Sequence, residues 1–291
     1  YGLIMPVLLK AKAVLLDVWD VNVAIDLIHK HQATFTMAST PFLNDLSEAV
    51  MESHQSLDSL KLFLCAGAPI PSTLVQKARQ NMGVKVISAW GMTECGAVTM
   101  TCPEDDDERS FNTDGLPLPG VEVKIVGDDG ETLAPMQSGT LMIRCCSNFG
   151  GYLKRPHLNE TNAEDWFDTG DIAYQDEQGY IRIAGRKKDV IIRGGENIPV
   201  AEVESLIYLH PEIATVALVP YPDERMGEKA CAVVKLKNPE YELTLPTLLE
   251  FLKTHQLANQ YLPERLEVWD ELPMTPSGKI QKFKIRELLA N

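Results

Sequence analysis

The order of apolar and polar positions predicts alternating strands and helices over the first part of the chain. Short apolar runs at Ala13–Leu16, Leu62–Cys65 and Val84–Ile87 predict buried strands. Residues 22–31 place their apolar side chains at helical spacing, and a second such segment begins at Ser72, which we expect to cap its helix. Because strands and helices alternate, we expect a largely parallel α/β layer over residues 1–114.

From about Gly115 the pattern changes to strict alternation of apolar and polar residues. Residues 121–126 and 139–144 alternate in this way around an Asp-Gly turn at Gly130. We therefore expect a β-rich subdomain, in the form of a small barrel, over residues 115–185.

After Arg186 the pattern changes once more. Strands are predicted at 189–193, 215–219 and 230–235, and helices after Pro199, over 245–256 and after Lys279. This mixture predicts a small α+β domain over residues 186–291, with the boundary at Arg186–Asp189.

Composition narrows the possible partners of the chain. Its 291 residues include 27 Lys+Arg and 41 Asp+Glu, a net charge of −14, so the positive field that nucleic-acid binding requires is missing. No apolar run reaches the roughly 20 residues of a membrane-spanning helix. The six cysteines match no zinc or disulfide pattern, and we expect reduced thiols in a cytoplasmic protein.

Five short polar, glycine-containing segments lie at the ends of apolar runs, where α/β proteins place their sites. They are Cys65-Ala66-Gly67-Ala68-Pro69, Ala89-Trp90-Gly91-Met92-Thr93-Glu94, Trp166-Phe167-Asp168-Thr169-Gly170-Asp171, Gly185-Arg186-Lys187-Lys188-Asp189 with Gly194-Gly195-Glu196-Asn197-Ile198, and Pro276-Ser277-Gly278-Lys279-Ile280. Each segment alone is an ordinary turn sequence. Their order and spacing make them informative together.

With these segments in this order, the chain resembles the superfamily of acyl-CoA synthetases, peptide-synthetase adenylation domains and firefly luciferase. The resemblance covers essentially the whole chain. It implies that residues 1–185 are the C-terminal part of a large AMP-binding domain and that residues 186–291 are a small mobile domain. The implied reaction joins a carboxylic acid to CoA, with ATP converted to AMP and diphosphate through an acyl-adenylate, and with Mg²⁺ as cofactor.

The resemblance implies a nucleotide site. Asp171 would accept hydrogen bonds from the ribose hydroxyls, and Arg186 would support the same ribose. Trp90 would stack on adenine where the family usually has Tyr. The same site would include the backbone or side chains of Gly67, Ala68, Pro69, Gly91 and Met92. Other interpretations of the three side chains are a turn aspartate, a surface ion pair and a core tryptophan.

The resemblance also implies catalytic roles. Thr93 would bind a phosphate, and Glu94 would coordinate Mg²⁺, which prefers carboxylate oxygens. Lys279 would offset the negative charge that collects on the α-phosphate during adenylation.

A rotation of the small domain is implied as well. Lys188 occupies the hinge position of the family, although a solvated lysine is the simpler interpretation. Gly194 and Gly195 would leave room for the pantetheine arm of CoA after the rotation.

One family feature is missing from the sequence. Residues 1–64 contain no Ser/Thr/Gly-rich loop ending in Pro-Lys-Gly, with which the family holds the β- and γ-phosphates. We therefore expect the C-terminal portion of a CoA ligase, inactive alone, and the alternative is a non-catalytic nucleotide- or CoA-binding fragment. The expected acid is apolar, short- or medium-chain or cyclic, in a pocket formed by Ser39, Phe42, Met92 and Cys95.

Overall fold

The computed structural model describes residues 2, 4–67, 70–275 and 278–290. Within its first part, the described strands form one sheet in the order β1-β2-β3-β4-β5. The elements are α1 (Ile4–Leu8), α2 (Val21–His31), β1 (Phe35–Ala38), α3 (Thr40–Ser53), β2 (Leu62–Ala66), α4 (Ser72–Met82), β3 (Lys85–Met92), β4 (Gly96–Met100), α5 (Asp107–Asn112) and β5 (Leu116–Pro117).

This first sheet confirms the predicted α/β layer. Strands β1, β2 and β3 are parallel, and β4 and β5 continue the sheet antiparallel. Helices α2, α3 and α4 pack on one face, because each buries a stripe of apolar residues such as Leu43, Leu46 and Val50 of α3. Asp20 caps helix α2, and its carboxylate accepts hydrogen bonds from two backbone N–H groups of the first turn.

Two local expectations in this region are wrong. Residues 11–16 form neither a helix nor a strand, and Leu15 is 77% exposed, whereas Leu16 packs against the core. An apolar run becomes a buried strand only where another element covers it. Helix α4 does begin at Ser72, but its cap position is Pro71, and no side chain makes a capping hydrogen bond there.

The second sheet consists of β6 (Val121–Val126), β7 (Gly139–Cys145), β8 (Phe167–Gln175) and β9 (Ile181–Arg186). These strands pair antiparallel in chain order, so the β-rich subdomain is confirmed. The expected barrel is wrong, since the described strands form an open path of four, and closing a barrel usually takes about eight. Its core contains Val98 of β4, which joins the second sheet to the first.

The third sheet belongs to the C-terminal module, residues 191–290. The module contains the strands β10 (Ile191–Arg193), β11 (Glu196–Ile198), β12 (Ile213–Asp223), β13 (Gly227–Leu236) and β14 (Arg265–Val268). It also contains the helices α6 (Val200–Ile207), α7 (Leu245–Thr254) and α8 (Lys282–Leu289). Alternate residues of β12 point to opposite faces. Val216 and Leu218 share a core with α6 and α7, while Ala217 and Val219 share another with α8.

The apolar clusters of the third sheet and those of the first two sheets use separate stretches of the chain. Those of the third sheet draw their members from Ile191 onward, and those of the first two sheets from residues before Arg186. The division at Arg186–Asp189 itself stays a prediction. Of the helices that the structure describes, none combines the length and the apolar character needed to cross a bilayer.

Candidate functional site

The carboxyl ends of β2 and β3 lie at one edge of the first sheet. Pairing of Ala66 with Ala89 places the next residues, Gly67 and Trp90, side by side at this edge. Gly67 has a φ of +88°, and a Cβ built on it would lie 3.8 Å from Cε of Lys279. The structure therefore brings three residues from three of the motifs to one place.

Lys279 is presented by a turn whose backbone is held on both sides. Met274 and Ile280 pair as an isolated bridge, and Thr275 N–H donates to the carbonyl oxygen of Lys279 at 2.8 Å. The Lys279 N–H in turn donates to Oγ1 of Thr275 at 3.1 Å. These hydrogen bonds hold the backbone of Lys279, while its side chain is exposed.

Asp171 is the buried carboxylate of this edge, with 1% of its surface exposed. It lies on β8, in register with Arg186 of β9, and its Oδ2 accepts a hydrogen bond from Nε1 of Trp90 at 3.0 Å. Arg186 Nε lies 2.7 Å from Oδ1 as an ion pair. No described donor is aligned with that oxygen as a hydrogen bond. The ion pair with Arg186 is therefore the one described polar contact of Oδ1.

The electrostatics of Asp171 follow from this position. Burial raises the pKa of its carboxyl group above the ordinary value, and the charge of Arg186 and the indole N–H of Trp90 oppose that rise only in part. Lys188, in the 3₁₀ turn after β9, also favours the carboxylate. Ionisation of Asp171 therefore costs free energy, and its neighbours reduce that cost.

Glu94 lies half-buried between β3 and β4, and a second loop holds it. Oη of Tyr152 donates to Oε1 of Glu94 at 2.6 Å, and the N–H of Phe149 donates to the Glu94 carbonyl oxygen at 2.7 Å. The bond to Glu94 raises the pKa of the Tyr152 phenol to about 12. Tyr152 thus satisfies Oε1 of Glu94 and fixes the position of that side chain.

The loop that carries Tyr152 is built around Gly151. This glycine has a φ of +122°, and a Cβ on it would lie 2.5 Å from Nδ2 of Asn159. Oδ1 of Asn159 accepts the backbone N–H of Tyr152 at 2.9 Å. Sequence reasoning missed Tyr152, and the glycine pair before it, Gly150-Gly151, was the available signal.

The neighbours of Glu94 in its motif have distinct positions. Thr93 is exposed in the turn between β3 and β4. A Cβ on Gly91 would lie 2.1 Å from the carbonyl oxygen of Gly96, so only glycine fits this close approach of two backbones. Met92 packs at the margin of the second core. Among the described residues, no cluster of three or more His, Cys, Asp and Glu side chains could hold a metal ion.

The segment after β9 is held by the last helix. Nη1 of Arg286 on α8 forms an ion pair with Oδ1 of Asp189 at 2.9 Å and lies 3.4 Å from the carbonyl oxygen of Lys188. The Nζ atom of Lys187 pairs with Oδ2 of Asp168 at 2.8 Å. Lys188 itself is exposed. These contacts neither establish nor exclude a hinge, which stays a prediction.

Gly194 and Gly195 form the turn between β10 and β11, with φ values of +59° and +90°. A Cβ on Gly194 would lie 2.5 Å from Cε of Met226, whereas a Cβ on Gly195 would meet nothing within 4 Å. Only Gly195 therefore faces open space. A CoA role for the pair stays a prediction.

The remaining predicted positions are less informative. Ala68 and Pro69 lie outside the described residues. Phe42 packs edge-on against Trp19 with ring centroids 4.8 Å apart. Cys95 is fully buried in the core of the second sheet, so it does not line an open acid pocket. Each of the six cysteines is a free thiol.

Comparison with known protein families gives two matches within this chain. The family model described as AMP-binding enzyme matches residues 1–153, and the model described as AMP-binding enzyme C-terminal domain matches residues 202–279. The medium-chain fatty-acid–CoA ligase of Escherichia coli (strain K12) is 38% identical over 289 residues, which are 99% of this chain and 51% of that protein. The chain thus spans about half the length of the curated relatives it matches.

Two solved structures share the fold over nearly the whole chain. ATP-bound MatB from Rhodopseudomonas palustris has a TM-score of 0.88 at 27% identity and covers 98% of this chain, which covers 56% of that one. The anthranilate CoA ligase AuaEII, in complex with anthranoyl-AMP, has a TM-score of 0.87 at 28% identity, with 99% and 57% coverage.

Proposed function

This chain belongs to the family of AMP-binding enzymes. From that membership we propose that it is the C-terminal portion of an ATP-dependent acid–CoA ligase. In the proposed reaction, a carboxylate oxygen attacks the α-phosphorus of ATP and diphosphate leaves. The thiol of CoA then attacks the acyl carbon of the adenylate, a thioester forms and AMP leaves. The observation that carries the proposal is the meeting of Lys279, Gly67 and the Trp90–Asp171 pair at one sheet edge.

In this proposal, Asp171, Arg186 and Trp90 would hold the nucleotide. Asp171 would accept ribose hydroxyls through Oδ1, which is buried and not hydrogen-bonded to any described donor. Arg186 would favour the ionised form of that carboxyl group and contribute further donors. Adenine would lie against the ring of Trp90, in the space that Gly67 leaves by having no side chain.

The negative charge that develops on the phosphate oxygens would be offset by Lys279 and by a cation bound at Glu94. Lys279 extends from its turn toward Gly67 and would place its ammonium beside the α-phosphate. Glu94 would contribute its second carboxylate oxygen to Mg²⁺, with Thr93 as a phosphate ligand. When bound, Mg²⁺ would offset the negative charge of the phosphate groups.

The second half-reaction would use another orientation of the C-terminal module. Lys188 would be the residue at which the module turns, and Gly195 would offer open space to the pantetheine arm. We propose an apolar short- or medium-chain or cyclic acid as substrate. The Escherichia coli relative, which is named as a medium-chain fatty-acid–CoA ligase, and the apolar Trp19–Phe42 pair support this choice. The free thiols are consistent with the cytoplasm.

The 291-residue chain would bind AMP without completing adenylation, because its sequence has no Ser/Thr/Gly-rich loop ending in Pro-Lys-Gly. Radioactive diphosphate exchange tests this together with AMP binding. We expect AMP binding but no exchange by this chain, and exchange by a protein that also carries such a loop, with a panel of acids identifying the substrate. The competing possibility is a binding module with no role in ligation, and exchange by the loop-containing protein would exclude it.

A further inference from the structure

Helix α3 contacts the C-terminal module at two points. We call the described pair Gly278 and Lys279 the lysine turn. Pro41, in the first turn of α3, lies against its Gly278, since a Cβ on that glycine would be 3.1 Å from Cγ of Pro41. Glu48, further along the helix, faces Lys237, which directly follows β13. The interval from residue 41 to residue 48 is about two helical turns, or roughly 10 Å. One rigid helix therefore meets both the lysine turn and a basic side chain of the module.

Glu48 is shared between the two parts of the chain. Its Oε1 accepts Nζ of Lys237 at 2.9 Å and Nζ of Lys77, on α4, at 2.8 Å. Burial alone would raise the pKa of Glu48, but the hydrogen bonds from the two lysines outweigh burial and hold the pKa below its ordinary value. The carboxylate is therefore charged when the module is docked.

A phenol group of the module lies within the electrostatic influence of the same helix. Tyr208, which follows α6 of the module, is partly buried close to Glu48 and Asp45 of α3. Burial, with the negative charges of Glu48 and Asp45, raises the pKa of its phenol. Tyr208 itself packs against the core of the module, so the influence of α3 on it is electrostatic.

We propose that Glu48 and Lys237 are positioning residues, which hold the C-terminal module in the orientation that presents Lys279 to Gly67. This inference rests on the proposed function, in which that orientation forms the adenylate and another forms the thioester. Because α3 is rigid, docking Lys237 on Glu48 also keeps Gly278 against Pro41. When Lys237 leaves, Lys77 still pairs with Glu48. Undocking therefore leaves no partly buried charge unpaired and can be reversed.

The orientation can be measured in the 291-residue chain without nucleotide. Spin labels on encoded unnatural residues at exposed Asp58 and Glu250 report the distance between the two parts by double electron–electron resonance. We expect one narrow distance for the unsubstituted chain. Lys237→Met should raise the fraction of chains outside it about two- to fivefold, as expected for the loss of one partly exposed ion pair.

Two further variants separate positioning from general damage. Lys235→Met removes an ion pair inside the module, to Glu271 at 2.6 Å, and should leave the distance unchanged. Reversal of all three charges, by Glu48→Lys with Lys77→Glu and Lys237→Glu, should restore the narrow distance. Equal melting temperatures of the single-site variants would show that they remain folded.

Several results would overturn the proposal. They are a broad distance in the unsubstituted chain, an unchanged distance in Lys237→Met, or the same change in Lys235→Met. In a protein with a phosphate-binding loop, Lys237→Met should slow diphosphate exchange severalfold and spare thioester formation from supplied acyl-adenylate. Equal loss of both would also overturn it. Failure of the ligase function would instead appear as no exchange by the unsubstituted loop-containing protein, whatever the label distances.

Discussion

The indole N–H of Trp90 donates to Oδ2 of Asp171 at 3.0 Å, and this bond joins the first sheet to the second. Trp90 therefore donates a hydrogen bond in addition to the stacking that we propose for its ring. A tyrosine at this position, as is usual in the family, would offer a phenol in place of an indole N–H. The other carboxylate oxygen, Oδ1, is buried, pairs with Arg186 and has no described hydrogen-bond donor.

Trp90→Phe should weaken AMP binding to the chain by roughly three- to tenfold. The flat ring is kept, but one hydrogen bond to a buried carboxylate is lost, which is worth about 1 kcal/mol net. Calorimetric titration with AMP measures the effect. Trp269→Phe, in the core beneath α8, is the control and should leave AMP affinity unchanged. Equal affinity of Trp90→Phe and the unsubstituted chain would contradict a role for the indole N–H.

Asp171→Asn should stabilise the chain at neutral pH and weaken AMP binding. The folded-state pKa of Asp171 lies above its unfolded value of about 3.9. The folded chain therefore binds this proton more tightly, and the stabilisation is present at low pH and lost as pH rises through the folded-state pKa. The excess in melting temperature of Asp171→Asn over the unsubstituted chain should grow as pH rises above about 4, the unfolded-state pKa, and level off once the folded-state pKa is passed. A constant difference over that range would contradict the assignment.

Lys279→Ala should reduce diphosphate exchange by about 10²- to 10³-fold in a protein that carries this chain and a phosphate-binding loop. The reason is the loss of a mobile cation from the place where negative charge develops. Thioester formation from supplied acyl-adenylate should persist, because it would use another orientation of the module. Lys282→Ala, which breaks an ion pair to Glu204 within the module, is the control. Exchange that survives in Lys279→Ala would remove that residue from the mechanism.

Tyr152→Phe should weaken the binding of Mn²⁺ in the presence of ATP by about tenfold, since residues that orient a metal ligand commonly matter to that extent. The ring contact with Phe149 is kept and the hydroxyl group that holds Glu94 is lost. Electron paramagnetic resonance of Mn²⁺ provides the readout in a protein with a phosphate-binding loop. Tyr261→Phe is the control. If Glu94→Gln weakens Mn²⁺ binding and Tyr152→Phe does not, Tyr152 has no orienting role.

Local patterns were sufficient to predict much of the fold. Apolar residues at helical spacing predicted α2, and period-two alternation predicted the second sheet, because each element buries one face against its own neighbours. The run at Ala13–Leu16 failed for the converse reason, since no described element covers Leu15. Periodicity reports the capacity for burial, and only the tertiary structure decides whether that capacity is used.

The site was predictable in its membership but not in its geometry. The motifs identified Trp90, Asp171 and Lys279, yet the Trp90–Asp171 bond spans 81 positions, and no local pattern encodes such a contact. The Glu48–Lys237 pair, 189 positions apart, was missed for the same reason. Single polar residues on exposed faces are common in any sequence, and their partners emerge only when distant elements pack together.

Gly278→Ala should impair adenylation beyond its effect on stability. Gly278 has a φ of +79°, and an added methyl group would meet the rigid ring of Pro41 at 3.1 Å. Gly83, at the end of α4, has a φ of +66° with nothing within 4 Å, so Gly83→Ala provides the same backbone strain without the contact. Each should cost roughly 1–2 kcal/mol of unfolding free energy. Only Gly278→Ala should move the lysine turn away from α3 and lower diphosphate exchange more than tenfold in the loop-containing protein, while AMP binding to the 291-residue chain persists. If the two variants lose exchange equally, the contact between Gly278 and Pro41 does not place Lys279.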